Sequence, residues 1–169
     1  MDEMFDVYDQ DGCWIGVRPR KECHGNPALI HRSVHVVVFD STGKQILLQK
    51  RSAAKDIQPG KWDTAVGGHV AAGESVEAAA RRELAEELGL TTDDLELFFE
   101  STIRNSIESE NVTVFKLVSD GPFEFAADEI DEVKFWPLEQ FKSAAGRERN
   151  DFTPNLQVEL AEIVARCAQ

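Results

Sequence analysis

Residues 68–90 read GHVAAGESVEAAARRELAEELGL, and the segment RELAEELG within them decides how the rest of the chain is interpreted. In a helix that turns about 100° per residue, Glu83, Glu86 and Glu87 share one face while Leu84 points away toward a core. Carboxylates three and four residues apart repel one another, so such a face needs a compensating cation. An all-oxygen set of ligands suits Mg²⁺ or Mn²⁺. The alternative is an acidic helix face that is simply solvated.

The residues on either side of this cluster predict a helix with defined ends. Ser75 is a suitable N-cap, and Gly89 is placed to close the helix in a left-handed conformation. Arg82 lies four residues before Glu86, where an ion pair can orient the carboxylate.

The spacing of the fixed residues across this stretch resembles the complete signature of the Nudix hydrolases. The matching residues are Gly68, Glu74, Arg82, Glu83, Glu86, Glu87 and Gly89. Seven such matches arise by chance at about one in 10⁸ starting positions. The resemblance implies an α/β fold, an α/β/α sandwich around a mixed β-sheet, with a divalent cation on the glutamates. It also implies attack of water on one phosphorus of a diphosphate, with Arg82, Glu83, Glu86 and Glu87 as the candidate catalytic residues.

The length and composition of the whole chain predict one soluble domain. A chain of 169 residues suits a single Nudix domain, with residues 1–30 as an N-terminal extension and 31–169 as the core. The net charge is −13, from 18 basic and 31 acidic residues, which argues against a nucleic-acid polymer or an anionic membrane as partner. No apolar run is long enough to span a bilayer, so we expect a cytoplasmic protein. Three cysteines without paired spacing indicate reduced thiols.

Turn residues and apolar patterns outline the elements around the central helix. An N-terminal β-hairpin is expected from Met4–Tyr8 and Cys13–Val17, followed by a buried strand from His31. The segment 62–70 is predicted as one short strand, and 95–103 and 111–118 as a later strand pair. Pro137 is expected to open a helix through about residue 145, and Thr153 to cap a terminal helix that ends near Cys167.

Four further segments resemble the Nudix branch that contains the isopentenyl-diphosphate isomerases. They are HGNPALIHRSV, ILLQKRSAAK, PGKWDTAVGGHV and FWPLEQF. In that branch a separate metal is held by three histidines and two glutamates, and the matching residues are His24, His31, His69, Glu108 and Glu110. Imidazole and carboxylate ligands suit Zn²⁺, Mn²⁺ or Fe²⁺, so the resemblance implies a second divalent transition metal. The alternative is a set of structural histidines beside a solvated acidic loop.

The same resemblance implies a basic clamp for the diphosphate. Arg51 and Lys55 match positions that hold the diphosphate in the isomerases, and Lys21 or Arg20 would add a third contact. Arginine offers a two-pronged contact to phosphate oxygens and lysine a point charge. The alternative is scattered charge that only solubilises the surface.

Two departures from the isomerase pattern favour hydrolysis over isomerisation. Gly67 stands where the isomerases need a cysteine, and Asn155 stands where they carry an aromatic residue that shields a carbocation. The glutamates of the Nudix signature, which the isomerases have largely lost, are all present in this chain. We therefore predict a magnesium-dependent hydrolase that acts on a nucleoside diphosphate linked to another group, or on a related organic diphosphate.

Several questions stay open at the level of the sequence. The alternatives to a hydrolase are an isomerase-like enzyme and a non-catalytic nucleotide-binding module. Glu108, Glu110 and Glu129 are candidates for the general base, and Trp14, Trp62 and Trp136 are able either to stack a base or to pack in a core. A homodimer is a further possibility.

Overall fold

Nine strands join one mixed sheet that carries helices on both faces. The structure is a computed structural model, and it describes residues 2–168 of the chain. The strands are β1 (Met4–Tyr8), β2 (Trp14–Pro19), β3 (Ile30–Phe39), β4 (Gln45–Arg51), β5 (Trp62–Thr64), β6 (Val66–His69), β7 (Glu96–Arg104), β8 (Ser109–Val118) and β9 (Ile130–Pro137). The helices are α1 (Arg20–Cys23), α2 (Val76–Leu88), α3 (Ala144–Arg147) and α4 (Pro154–Cys167).

Strand β3 is the centre of the sheet. It pairs antiparallel with β1, β4 and β6, and parallel with β8 along its whole length. Strand β4 carries β5 and β9, and β7 extends the sheet beyond β8. The parallel pair β3–β8 makes the sheet mixed, and the β1–β2 hairpin extends it through β1, so the predicted sandwich and its N-terminal hairpin are confirmed.

The two faces of the sheet bury separate apolar clusters because side chains alternate along each strand. Helix α2 buries Leu84 and Leu88 against Val34 and Val36 of β3 on one face. Helix α4 covers the other face, where its leucines and isoleucine pack with Trp62, Trp136 and four phenylalanines. Burying a side chain of this size stabilises the fold by roughly 1.5–3 kcal/mol. The sheet is therefore held between two helices, and α2 fixes the position of the glutamates.

Three local predictions differ from the structure. The segment 62–70 is two strands rather than one, because β5 pairs with β4 and β6 with β3, with Ala65 between them. Pro137 ends β9, and Leu138–Lys142 form a short 3₁₀ helix in place of the expected longer helix. Strand β8 begins at Ser109 rather than 111, so Glu110 lies in the sheet and not in a loop.

The predicted terminal helix and the state of the cysteines agree with the structure. Thr153 caps α4 by accepting a hydrogen bond from the amide of Leu156, and Pro154 occupies the first turn. Cys13, Cys23 and Cys167 are all free thiols. Within residues 2–168, no helix has the length and apolar character that a membrane span requires.

Candidate active site and metal centre

Helix α2 begins and ends where its capping residues require. The Ser75 hydroxyl accepts a hydrogen bond from the amide of Ala78 at 3.1 Å. Gly89 closes the helix with φ of 67°, a conformation that costs a residue with a side chain far more than glycine. Both predicted caps are therefore present, and they fix where the acidic face begins and ends.

Arg82 organises the lower part of the acidic face. Its guanidinium makes two hydrogen bonds of 2.9 Å to Glu74 and one of 2.8 Å to Glu83. A fourth bond, of 3.0 Å, reaches the backbone carbonyl of His69. The contact with Glu86 that the spacing predicts is present at 3.5 Å, but Glu74 is the stronger partner. Arg82 thus holds the carboxylate of Glu83 in place and ties α2 to β6.

Glu87 is a partly buried carboxylate at the upper end of the same face. It accepts hydrogen bonds from the side-chain amide of Gln49 at 3.0 Å and from the backbone amide of Gly67 at 3.1 Å. Burial raises its pKa to about 8, although those two hydrogen bonds oppose the rise. Ionised Glu87 is therefore costly without a nearby cation.

Glu83 and Glu86 complete the set with different surroundings. Burial raises the pKa of Glu83 despite the contact with Arg82, whereas the side chain of Glu86 is 59% exposed. Gly68 lies directly above Glu83, and a Cβ atom at position 68 would overlap that carboxylate. The glycine of the motif is thus explained by the closeness of the strand to the glutamate.

The three glutamates fit a hard divalent cation. They offer oxygen ligands only. Glu83 and Glu87, which are partly buried, have raised pKa values, so a bound cation would offset the cost of ionising them. Glu83, Glu86 and Glu87 therefore stay the candidate ligands for Mg²⁺ or Mn²⁺.

A second group of metal-binding side chains lies beside the first. One ligand atom from each of His31, His69, Glu108 and Glu110 lies within 4.8 Å of the others. His31 and Glu110 are register partners in the parallel β3–β8 pair, which places their side chains next to each other. The Nε2 atoms of His31 and His69 lie 3.1 Å and 3.0 Å from the same Glu110 oxygen. The structure thus brings together four of the five residues expected at the second metal site.

The fifth residue, His24, lies at the edge of this group. Its Nε2 atom is 3.7 Å from Glu108 and is buried without a hydrogen-bond partner among the described residues. Burial and the nearby Arg20 lower the pKa of His24, which favours the neutral imidazole that binds metals. A transition metal would use this unsatisfied nitrogen, so the residues present fit such an ion.

The glutamates of this group have opposite pKa shifts. Burial and the neighbouring Glu110 raise the pKa of Glu108. Burial also opposes ionisation of Glu110, but hydrogen bonds from His31 and His69 hold its pKa well below the usual range. The Ser33 hydroxyl donates a further bond to Glu110 at 3.1 Å. Glu110 is thus fixed as an anion between two imidazoles.

The candidate clamp residues are not equally placed. Arg51 and Lys55 both line the cavity above the glutamates; Arg51 donates to the carbonyl of Ile57, and Lys55 pairs with Glu129. Lys21 lies outside this cavity and pairs with Asp2 at 3.4 Å. Arg20 lines the cavity in its place, so it is the better candidate for the third contact.

One open cavity of about 680 Å³ connects both acidic groups with the clamp. Nine carboxylate side chains line it, against four arginines and lysines: Glu3, Asp63, Glu83, Glu86, Glu87, Glu108, Glu110, Asp128 and Glu129 against Arg20, Arg51, Lys55 and Arg82. An anionic ligand would be repelled by this lining unless cations accompany it.

No tryptophan contributes to this cavity among the described residues. Trp62 and Trp136 are packed against each other in the core, with ring centroids 5.2 Å apart. Trp14 is exposed on the N-terminal hairpin and donates to Asp6. Core packing is therefore the outcome for two of the three tryptophans.

Several polar residues of the cavity are not foreseen by the motifs. Gln49 holds Glu87, and His35 lines the cavity while it contacts Glu159 of α4. Gln49 is recognisable in the sequence as a polar residue, because it is a lone amide in the apolar run ILLQ. His35 had none, because its partner is 124 residues away in the sequence.

Comparison with known proteins identifies the family. The model of the NUDIX domain matches residues 29–156. The chain belongs to the Nudix hydrolase family. Its helix α2 carries the Nudix motif, and membership places the chain among the pyrophosphohydrolases.

Individual Nudix proteins show how far the similarity extends. The chain is 35% identical over 167 residues to Nudix hydrolase 3 of Arabidopsis thaliana, an alignment that covers 90% of the chain but 22% of the plant protein. It is 33% identical to the uncharacterised Nudix hydrolase YfcD of Escherichia coli, over 99% of the chain and 89% of that protein. The crystal structure of DR0079 from Deinococcus radiodurans superimposes with a TM-score of 0.74 at 27% identity, covering 99% of this chain and 100% of that one.

A partial match supports the isomerase-like branch of the family. Isopentenyl-diphosphate Delta-isomerase of Nocardia farcinica is 45% identical over 85 residues, which cover 50% of the chain and 48% of the isomerase. The Nudix chain thus resembles that branch while it carries glycine at position 67.

Proposed function

We propose that this Nudix enzyme hydrolyses, with Mg²⁺, the diphosphate bond of a nucleoside diphosphate linked to another group, or of a related organic diphosphate. The excess of carboxylates in the cavity is the observation that carries the proposal. Nine acids face four permanent cations, so a diphosphate enters only with divalent cations that neutralise both the lining and the ligand. Mn²⁺ suits the same oxygen ligands.

The positions of the cavity residues suggest separate roles in binding the metal and the phosphates. The cation would be held by Glu83, Glu86 and Glu87. Glu74 fixes the guanidinium of Arg82, which in turn orients Glu83 by a direct hydrogen bond. When bound, a divalent cation neutralises phosphate oxygens and lowers the pKa of water. Arg51, Lys55 and Arg20 line the same cavity and would contact the remaining phosphate oxygens.

The general base is proposed from the carboxylates that are least committed to other partners. Glu129 is paired with Lys55, and Glu110 is bound by two histidines and a serine. Glu108 lies 3.7 Å from His24 and beside Glu110, and burial raises its pKa. A carboxylate with a raised pKa is a stronger base than an ordinary one, so Glu108 is the first candidate.

The cavity lining bears on the class of substrate. It contains no phenylalanine, tyrosine or tryptophan among the described residues, so a nucleobase would find no large aromatic side chain to stack on there. This supports recognition through the diphosphate and its cations, with a loose requirement for the attached group.

A second candidate function is isomerisation of an isoprenoid diphosphate. The cluster of His31, His69, Glu108 and Glu110 favours it, as does the partial match to an isomerase. Gly67 offers no side chain for proton transfer to carbon, so hydrolysis is the stronger proposal. Incubation with isopentenyl diphosphate should yield no dimethylallyl diphosphate; appearance of that product would favour the isomerase.

The proposal is tested by a product-release screen in Mg²⁺ and in Mn²⁺. The panel contains nucleoside diphosphates linked to sugars, dinucleotides, dinucleoside polyphosphates and simple organic diphosphates. We expect cleavage of at least one class, with activity lost on chelation of the metal. In the same panel Glu108→Gln should lose about 10²- to 10⁴-fold in rate. Binding without cleavage across the whole panel would favour a non-catalytic module.

A further inference from the structure

A buried ion pair connects the terminal helix with the floor of the cavity. The Nδ1 atom of His35 on β3 lies 2.6 Å from a carboxylate oxygen of Glu159 on α4. The other carboxylate oxygen accepts a hydrogen bond of 2.6 Å from the hydroxyl of Thr64 on β5. The side chain of Glu159 is only 6% exposed and that of His35 only 14%.

The surroundings of this pair make a purely structural role costly. The rest of the inward face of α4 is apolar, with Leu156, Leu160 and Ile163 in the core. A buried ion pair is often no more stabilising than apolar side chains of similar size. Because the His35–Glu159 pair lies at the edge of the cavity, a function in binding the ligand there would explain it.

The free edge of the His35 ring faces the cavity over Gly67. His35 and Gly67 are register partners in the β3–β6 pair. A Cβ atom at position 67 would lie 3.3 Å from Cδ2 and 3.6 Å from Nε2 of His35. Nε2 has no hydrogen-bond partner among residues 2–168, and the side chain lines the cavity. The ring edge is thus open because residue 67 has no side chain.

The same glycine links His35 to the motif glutamates. The backbone amide of Gly67 donates to Glu87, so the residue that leaves the ring edge open also contacts the carboxylate at the upper end of the acidic face. His35 and Glu87 both line the same cavity. We propose that the Nε2–H of His35 donates a hydrogen bond to a phosphate oxygen of the bound diphosphate, and that Glu159 and Thr64 hold the ring for this contact. The inference rests on the proposed diphosphate hydrolysis and adds a cationic donor to its site.

The charge state of the pair agrees with a donor role. Burial lowers the pKa of His35, but the attraction of Glu159 and the hydrogen bond to it raise the pKa to about 9. Asp63 and Glu110 are the other acids that act on the ring in the same direction. With Nδ1–H directed at Glu159, the second N–H of the imidazolium is available at Nε2.

Two variants separate the proposed contact from a structural role. Gly67→Ala places a methyl group against the ring edge and retains both members of the His35–Glu159 pair. The double variant His35→Phe/Glu159→Leu removes both charges together, which avoids a buried unpaired carboxylate. Thermal unfolding reports whether each variant folds, and Mn²⁺ binding followed by electron paramagnetic resonance reports whether the motif glutamates are intact.

The measurement is kcat/KM for the diphosphate that wild type cleaves best in the panel, together with Ki for methylenediphosphonate, which has a non-cleavable bridge. We expect both variants to bind Mn²⁺ like wild type, to lose about 10- to 100-fold in kcat/KM, and to show a raised Ki. Wild-type kcat/KM in Gly67→Ala would overturn the inference, whatever the double variant does. A wild type that cleaves no member of the panel would instead refute the proposed function.

Discussion

Two adjacent glycines show how single residues shape both sides of the site. Gly68 leaves room for Glu83 on the α2 side of the sheet, and Gly67 leaves room for His35 on the α4 side. The requirement at Gly68 is visible in the motif. The requirement at Gly67 is not, because it depends on a histidine from another strand and on Glu159 far along the chain.

The His35–Glu159 pair predicts a pH dependence of stability. The pKa of His35 in the folded protein is about 9, above its ordinary value of 6.5, so its contribution is complete below pH 6.5 and is lost as pH rises through 9. Relative to His35→Phe/Glu159→Leu, wild type should lose at most about 3 kcal/mol in the free energy of unfolding across that range. Asp63 and Glu110, which also face the ring, are present in both proteins.

Urea unfolding of the two proteins near neutral pH and near pH 9 measures this difference. If the free energy of unfolding changes equally in the two proteins between these pH values, Glu159 does not hold His35 as an imidazolium.

At the scale of elements, helix α2 was the most predictable part of the structure. Its caps, Ser75 and Gly89, depend on local backbone chemistry that the sequence displays directly. The segment after Pro137 was predicted wrongly, since proline permits both a 3₁₀ turn and a longer helix. Strand β8 began earlier than predicted because its parallel pairing with β3 extends to Ser109, a long-range effect without a local signal.

Removing the N-cap of α2 should destabilise the fold by a predictable amount. Ser75→Ala leaves the amide of Ala78 without its partner and should cost about 1 kcal/mol of unfolding free energy. Ser75→Asp keeps an acceptor at the same position and serves as the matched control. Chemical denaturation measures both, and equal losses in the two variants would show that the cap bond does not stabilise the helix.

In the molecule as a whole, the fold brings two acidic groups and the basic side chains of Arg20, Arg51 and Lys55 to one cavity. The motif glutamates come from α2, and the histidines and their glutamates from β3, β6, β8 and the segments beside them. The sequence predicted these residues through family resemblance, but the sharing of one cavity needed the folded sheet. The predicted homodimer stays a prediction; Trp14 and Ile15 on the edge strand β2 are exposed at 59% and 42%.

The second metal site predicts a specific metal content. The double variant His31→Ala/His69→Ala should lose tightly bound transition metal, because it removes two imidazoles that converge on Glu110. Glu86→Gln, which leaves the histidine group intact, is the matched control and should retain that metal. Elemental analysis of the purified proteins provides the measurement, and unchanged content in the double variant would refute the site.

In the proposed reaction, the glutamates of α2 carry the hydrolysis. The most direct test of this role compares Mg²⁺-dependent cleavage by wild type, Glu87→Gln and Glu77→Gln on the best substrate of the panel. Glu77 lies on the same helix but is exposed and away from the cavity. We expect Glu87→Gln to lose nearly all activity and Glu77→Gln to keep the wild-type rate. Full activity in Glu87→Gln would contradict this role.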